Sequence, residues 1–289
     1  MPRPTIQSTD WDFTVKPVML MTPEGKPSGF RGNMREDTGE ILGVTSEDCY
    51  GVLQNRDLYN RAKEVLATKG LTGYTEKSLV TGGGAKFFTE FEFRNKQIAN
   101  AVGDTFGYVL RLQNSFDRTL RASFELGMLR LTCLNGAATL EREFGDTKKH
   151  SLQISIDFLE DAIDRAFKAG EGALKVYDRL AAKKITEPQG SLILRNLVGK
   201  GILSGKLQEA MDGRWLNPTR NEDKARNVYN LYNAVTEHLT HQVKSERFEY
   251  ANNTSANVLF ALDNAVRKPD NFAKLILPIK SEVEAVVAA

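Results

Sequence analysis

Apolar and polar side chains alternate along residues 105–137, break, and alternate again. Tyr108, Leu110 and Leu112 share one parity before the break Asn114-Ser115-Phe116-Asp117, and Leu120, Ala122, Phe124 and Leu126 share one after Arg118. Successive strand side chains point to opposite faces, so this pattern predicts two strands joined by an NSFD turn. Gly127 predicts a bend or bulge, Met128–Cys133 a further strand or buried segment, and Asn135-Gly136 a closing turn. Upstream, Trp11, Phe13 and Val15 predict a strand over Trp11–Met21, with Pro17 marking either a sheet edge or the strand's end. Phe30–Arg35 and Glu40–Val44 predict two strands around an Asp37-Thr38-Gly39 hairpin turn. Leu71–Val80 and Lys86–Phe93 predict another pair around Gly82-Gly83-Gly84, and Arg94–Gly103 reads as a polar surface crossing.

Helical spacing appears first in Leu58, Ala62, Val65 and Leu66, which predict a helix over Leu53–Lys69, capped by Asn55 and ended by Gly70. It dominates the second half. Ile156, Leu159, Ile163, Phe167, Leu174 and Tyr177 predict either one long helix kinked at Gly170 and Gly172 or two packed helices over Gln153–Ala182. Shorter helices are predicted at Ser191–Leu197 and Ile202–Met211, then longer ones at Lys224–Gln242 and Ala256–Val266. Leu275–Ala288 has a weaker apolar pattern, read as a terminal strand or helix. The fold class is therefore α+β: a mainly antiparallel sheet with a packed helix in residues 1–145, and a mainly helical region in 146–289 that either stands alone or is integral to the same domain.

At 289 residues and 41% hydrophobic content the chain has enough apolar surface for a sizeable core. A net charge of +2 argues against a uniformly basic DNA-coating surface, but leaves room for a local positive groove. Cys49 and Cys133 are too few for a disulfide scaffold and read as two buried free thiols. No signal peptide pattern or membrane span is visible, so a cytoplasmic protein without a membrane partner is expected.

Few residues form a chemical motif. Gly82–Gly84 lacks the spacing of a phosphate loop, although Lys86 follows, and reads as a mobile hairpin tip. His238 and His241 are three apart on a predicted helix, but no carboxylate or cysteine completes a ligand set, so no metal or cofactor is expected. Cys133 has no neighbouring signal for activation. Asn114, Ser115 and Asp117 have two readings: side chains that satisfy turn amides, or a ligand-facing cluster beside Arg118 and Arg121. Arg130 either projects into a groove or pairs with an acid.

Asn114, Ser115, Phe116, Asp117, Thr119, Arg130, Cys133, Asn135 and Gly136 together resemble the signature of the phage and plasmid family known as domain of unknown function 932. The resemblance extends upstream through REDTGEILGV and VLQNRD and downstream through LYNAVTEHLTH. Phe116 stands where that pattern more often has His, and Arg118 where it has a small residue. The family supplies a context of phage-borne and mobile DNA rather than a reaction.

The order of elements is also similar, coarsely, to that of phage single-strand annealing proteins with a Rad52-like fold. That similarity implies a homo-oligomeric module for single-stranded DNA, acting in recombination or replication, more readily than an enzyme. Lys77, Lys86, Arg111, Arg118, Arg121 and Arg130 are the candidate phosphate contacts, with Tyr74, Phe87, Phe88 and Tyr108 as candidate stacking faces. The family polar cluster, Asn114, Ser115, Asp117 and Asn135, is the second candidate set. The alternatives are a phage structural or assembly protein, and a carboxylate-dependent nucleic-acid-processing enzyme.

Overall fold

The NSFD turn sits where two antiparallel sheets and a helix meet. A computed structural model of the chain describes residues 10–100, 103–130, 135–136, 146–148, 150–151, 156, 158–241 and 248–278. A three-stranded sheet has the order β1 (Val15–Met21), β2 (Pro27–Arg35), β3 (Ile41–Ser46). Pro17 lies in β1, at the edge, where its missing N–H costs no ladder bond. A larger sheet runs β4 (Thr75–Thr81), β5 (Lys86–Ala99), β6 (Thr105–Ser115), β7 (Ala122–Arg130), β8 (Asn135–Gly136), with β9 (Asp146–Lys148) also paired to β7.

The two faces of the larger sheet differ in character. Phe87, Phe91, Phe93, Tyr108, Leu110, Leu112, Ala122 and Phe124 pack on Leu58, Ala62, Val65 and Leu66 of α1 (Asn55–Thr68). Leu159 and Ile163 of α2 (Phe158–Ala182) join the same core. Each buried phenylalanine here contributes about 1.5–3 kcal/mol relative to exposure. The opposite parity carries charge. The register sets Glu90 opposite Arg111 and Arg111 opposite Glu125. Arg111 reaches Glu90 at 2.7 Å and Asn252 of a later helix at 3.2 Å. Glu90, Glu92, Arg111 and Glu125 are all buried.

Among the described residues five further helices follow: α3 (Glu187–Gly199), α4 (Gly205–Leu216), α5 (Val228–His241), α6 (Phe248–Arg267) and α7 (Pro269–Leu275). Their core takes in Phe106 and Met128 from the sheet. At the seam Arg130 donates to Asp104 at 2.7 Å and to Asp223 at 2.6 Å, while Tyr229 donates to Asp104 at 2.9 Å. Burial works against the Arg130 charge, but Tyr229 and the two carboxylates outweigh it and hold the guanidinium firmly protonated.

Several expectations are corrected. Asn55 does not cap α1; Gln54 occupies that position, and the buried Asn55 side chain donates to the Trp11 carbonyl and accepts from Asn114. The Arg94–Gly103 crossing is largely strand, because β5 continues to Ala99 past a register break between Phe93 and Gln97. Gly127 does not end β7, and Asn135-Gly136 pairs with it as β8 instead of closing a turn. Gly170 and Gly172 lie inside one continuous helix. Gly84, at the glycine hairpin, is buried against Phe13 and Arg35. The helix expected at Ser191–Leu197 starts earlier, at Glu187, with Pro188 in its first turn and a capping box between Thr186 and Gln189.

Candidate functional site

The NSFD turn is built by its own side chains. Ser115 Oγ donates to the Leu120 carbonyl at 3.0 Å and accepts from the Leu120 N–H at 3.1 Å. Asp117 Oδ1 accepts from the Thr119 N–H at 2.9 Å and from its hydroxyl at 2.5 Å. Asn114 donates to the Leu53 carbonyl and to Asn55, tying the end of β6 to the start of α1. Phe116 fills a small core with Phe13 and Val15, and its carbonyl accepts from Asn33 of β2 at 2.6 Å. A Cβ on Gly43 of β3 would stand 2.5 Å from Asp117 Cα, so that close approach requires glycine. The polar cluster therefore satisfies backbone and sets the turn.

What the turn holds out is arginine. Arg118 has φ +65°, the left-handed region that a residue with a Cβ seldom adopts. Arg118 and Arg121 are exposed, and among the described residues neither guanidinium makes an ion pair or a hydrogen bond. That sets them apart from the other cations of interest. Arg31, Arg35, Arg56, Arg179, Arg214 and Arg226 all hold carboxylates within 2.8 Å.

Both arginines line a pocket of about 380 Å³. Ser46 and Cys49, at and beyond the end of β3, form a second side. The floor is aromatic: Tyr50 and His150 stack with ring centroids 5.0 Å apart, each 8% exposed. The Tyr50 hydroxyl donates to the Ser115 carbonyl at 2.6 Å, which couples the floor to the turn. Burial, with Asp117 adding and Arg118 opposing, pushes the Tyr50 phenol up, so it stays a neutral donor. Among the described residues neither ring nitrogen of His150 has a hydrogen-bond partner, and both are closed to solvent. Burial lowers its proton affinity and the nearby Gly51 backbone only partly offsets this, so the ring is neutral near pH 7.

The six candidate cations do not form one groove. Arg111 and Arg130 are internal, 5% and 2% exposed, each bound to carboxylate. Lys77 lies on the charged sheet face with its Nζ 2.6 Å from buried Glu92. Lys86 begins β5, half-buried, opposite Ser115 in the register. Arg118 and Arg121 are brought together at the pocket. Phe87, Phe88 and Tyr108 are buried, and Tyr74 packs edge-on against Phe91 and Phe93, so these rings are core rather than stacking faces. Asn135 pairs with Arg130 in the β8 register. Cys49 is exposed, contrary to the expected buried thiol, and Cys133 lies outside the described residues.

Ser46, Cys49, Tyr50 and His150 had no local motif to announce them; contact between distant segments makes them a site. Among the described residues no group of three or more His, Cys, Asp or Glu side chains is placed to hold a metal ion, and no helix is long and apolar enough to cross a membrane. A family model with the description "Domain of unknown function (DUF932)" matches residues 41–270, which include the turn and both pocket arginines. No curated protein and no solved structure matches the chain.

Proposed function

The chain belongs to the DUF932 family, and on that footing we propose that it is a phage- or plasmid-borne single-strand-binding and strand-annealing protein of recombination or replication. The observation that carries the reading is the pair Arg118 and Arg121, exposed and without acidic partners at the rim of a pocket. Desolvating an unpaired guanidinium beside hydroxyls suits a phosphate, which accepts charge-assisted, bidentate hydrogen bonds. Phosphate contacts position a strand without reading its bases, which leaves those bases free to pair. The working form is a homo-oligomer in the host cytoplasm. Support for assembly comes from the three-stranded sheet, whose outer strands are both edges and where Phe30, Ile41 and Val44 are 44–51% exposed.

The test is binding of single-stranded DNA, duplex DNA and RNA across a salt series, with annealing of complementary strands and light scattering in parallel. Single strands are expected to bind best, to an oligomer. The double variant Arg118→Ala, Arg121→Ala is expected to keep its circular dichroism spectrum, bind more weakly, and lose roughly 0.7 of logarithmic salt slope per lost contact. Wild-type protein that binds no nucleic acid would sink the annealing reading. Unchanged affinity and slope in the folded double variant would remove the arginine pair from it.

A further inference from the structure

We propose that the outward face of the three-stranded sheet is the contact between two copies of this chain, stacked face to face about a two-fold axis that runs along the strands. This rests on the assembly part of the reading above, whose surface and stoichiometry it names, and not on the nucleic-acid part.

Strand parity defines the face. Val15, Asn33 and Thr45 share the inward parity and are buried, with Asn33 reaching the Phe116 carbonyl. The other parity carries Val18 and Leu20 of β1, Phe30 and Met34 of β2, and Ile41 and Val44 of β3, around Gly32. Phe30, Ile41 and Val44 are 50%, 44% and 51% exposed. A Cβ on Gly32 would stand 2.8 Å from Ile41 Cδ1 and 3.3 Å from Leu20 Cδ2. Side chains from the two outer strands thus close over the glycine, and the face is a flat apolar platform rather than a groove.

The sequence of β1 is a second sign. Val18-Met19-Leu20-Met21 is an unbroken apolar run. A strand with one wet face alternates, whereas a strand covered on both faces reads as a continuous run. Yet Met19 and Met21 are 49% and 53% exposed in the single chain. Scattered exposed apolar residues are ordinary, but a contiguous set on one sheet marks a contact surface.

A second copy suits this face. Glu24, Glu36, Asp37 and Glu40 are exposed on its two hairpins, against Lys26 alone, which repels a phosphate backbone or an anionic lipid surface. Sheets with apolar faces pack about 10 Å apart with their strands aligned. A two-fold along the strands lays β1 over the second copy's β3, so that Val18 faces Val44 and Phe30 faces Phe30. Lys16 is the one charged side chain that the strands present on this parity. It then falls at Ile41 of the second copy, beside the exposed Glu40, and a cation meets an acid twice. A two-fold across the strands sets Lys16 on Leu20 instead, stripping its water without supplying an acid. Edge pairing is the poorer route, because Pro17 and the register shift between Met19 and Met21 interrupt β1 as a template.

Area sets the strength. Three strands about 4.8 Å apart, over the six-residue length of β3, give roughly 300 Å² of face. A standard interface takes roughly 800 Å² per partner, so this dimer is a weak one that dissociates on dilution. An isologous contact closes on itself, so assembly through this face stops at two.

The experiment is light scattering and sedimentation of the full chain from high to low micromolar concentration, with single-stranded DNA binding measured in parallel. A monomer–dimer equilibrium is expected. Phe30→Lys sets two lysines against each other and is expected to raise the dissociation constant at least about hundredfold. Its circular dichroism spectrum is expected to be kept, because the side chain is half exposed. Val44→Lys is the second variant should the first fail to fold. Lys16→Glu is expected to weaken the dimer, and the exchange Lys16→Glu, Glu40→Lys to restore it. A monomer at every concentration overturns the proposal, and leaves the face to another protein or to the chain's own N-terminal residues. An assembly that both lysine variants leave intact overturns this face while the assembly reading stands. An exchange variant that dimerises no better than Lys16→Glu overturns the stacking. A dimer that Phe30→Lys dissociates, in a chain that binds no nucleic acid, supports the interface and overturns the nucleic-acid reading alone.

Discussion

Arg118 shows how one residue separates stability from function. Its φ of +65° is a conformation glycine adopts freely, and holding a side chain there costs on the order of 1–3 kcal/mol. The turn imposes it, because Ser115 and Asp117 fix the backbone on either side. Arg118→Gly is therefore expected to leave the thermal midpoint unchanged or slightly higher while weakening nucleic-acid binding. A variant that melts several degrees lower would mean that the arginine stem packs for stability. The fate of the other arginines was only half legible. Opposite parity to Leu129 marked Arg130 as different from its neighbours, but the two acids that claim it, Asp104 and Asp223, lie far off in sequence.

At the scale of elements, helix packing depends on small residues as much as on large ones. Gly190 is in α3, and a Cβ there would stand 2.2 Å from Trp215 Nε1 of α4. The indole cannot retreat: it is 1% exposed and donates to the Glu187 carbonyl at 3.0 Å. Gly190→Ala is expected to destabilise by about 1–3 kcal/mol despite alanine's better helix propensity, through overpacking. Denaturant titration checks this; a more stable variant would show that propensity wins. Nothing in the local sequence announces this role of Gly190, since a contact with a tryptophan 25 residues on leaves no local trace.

Across the whole molecule, charge and proton binding link the halves. Arg130 joins β7 to Asp223, just before α5, so Arg130→Ala takes the nearest cation from two buried carboxylates and leaves Asp223 only the longer pairing with Arg220 at 3.8 Å. A loss of about 3–5 kcal/mol is expected in chemical unfolding. A loss under about 1 kcal/mol would mean that water enters the seam. Stability is also expected to fall in acid. His150 is buried among Tyr50, Cys49, Arg118 and Arg121, and His238 is lowered by burial and Arg214, against Glu237. The folded protein thus resists a proton that the unfolded imidazoles take up near pH 6.5. Below about that pH the unfolded state binds more protons, so stability present at pH 8 is lost as pH falls toward the folded values. Thermal unfolding between pH 8 and pH 5.5 in phosphate-free buffer checks the slope, and His150→Phe is expected to flatten it.

The sequence by itself determined the α+β class, the strands flanking the NSFD turn, the helical second half and the family to which the turn belongs. These follow from short-range physics: strand and helix periods repeat within a few residues, and Asn, Ser and Asp close turns with their own side chains. It also put Arg118 and Arg121 beside that turn. Only the tertiary structure decided which charges are internal. Arg111 and Arg118 look alike in the chain, yet strand pairing sets Arg111 against Glu90 while the turn leaves Arg118 without an acid. Tertiary contact likewise brought Tyr50 and His150 together beneath the arginines, across a hundred residues. A strand's period says which side chains share a face, but not what will cover that face, and burial against distant segments is what turns a residue into core, ion pair or site.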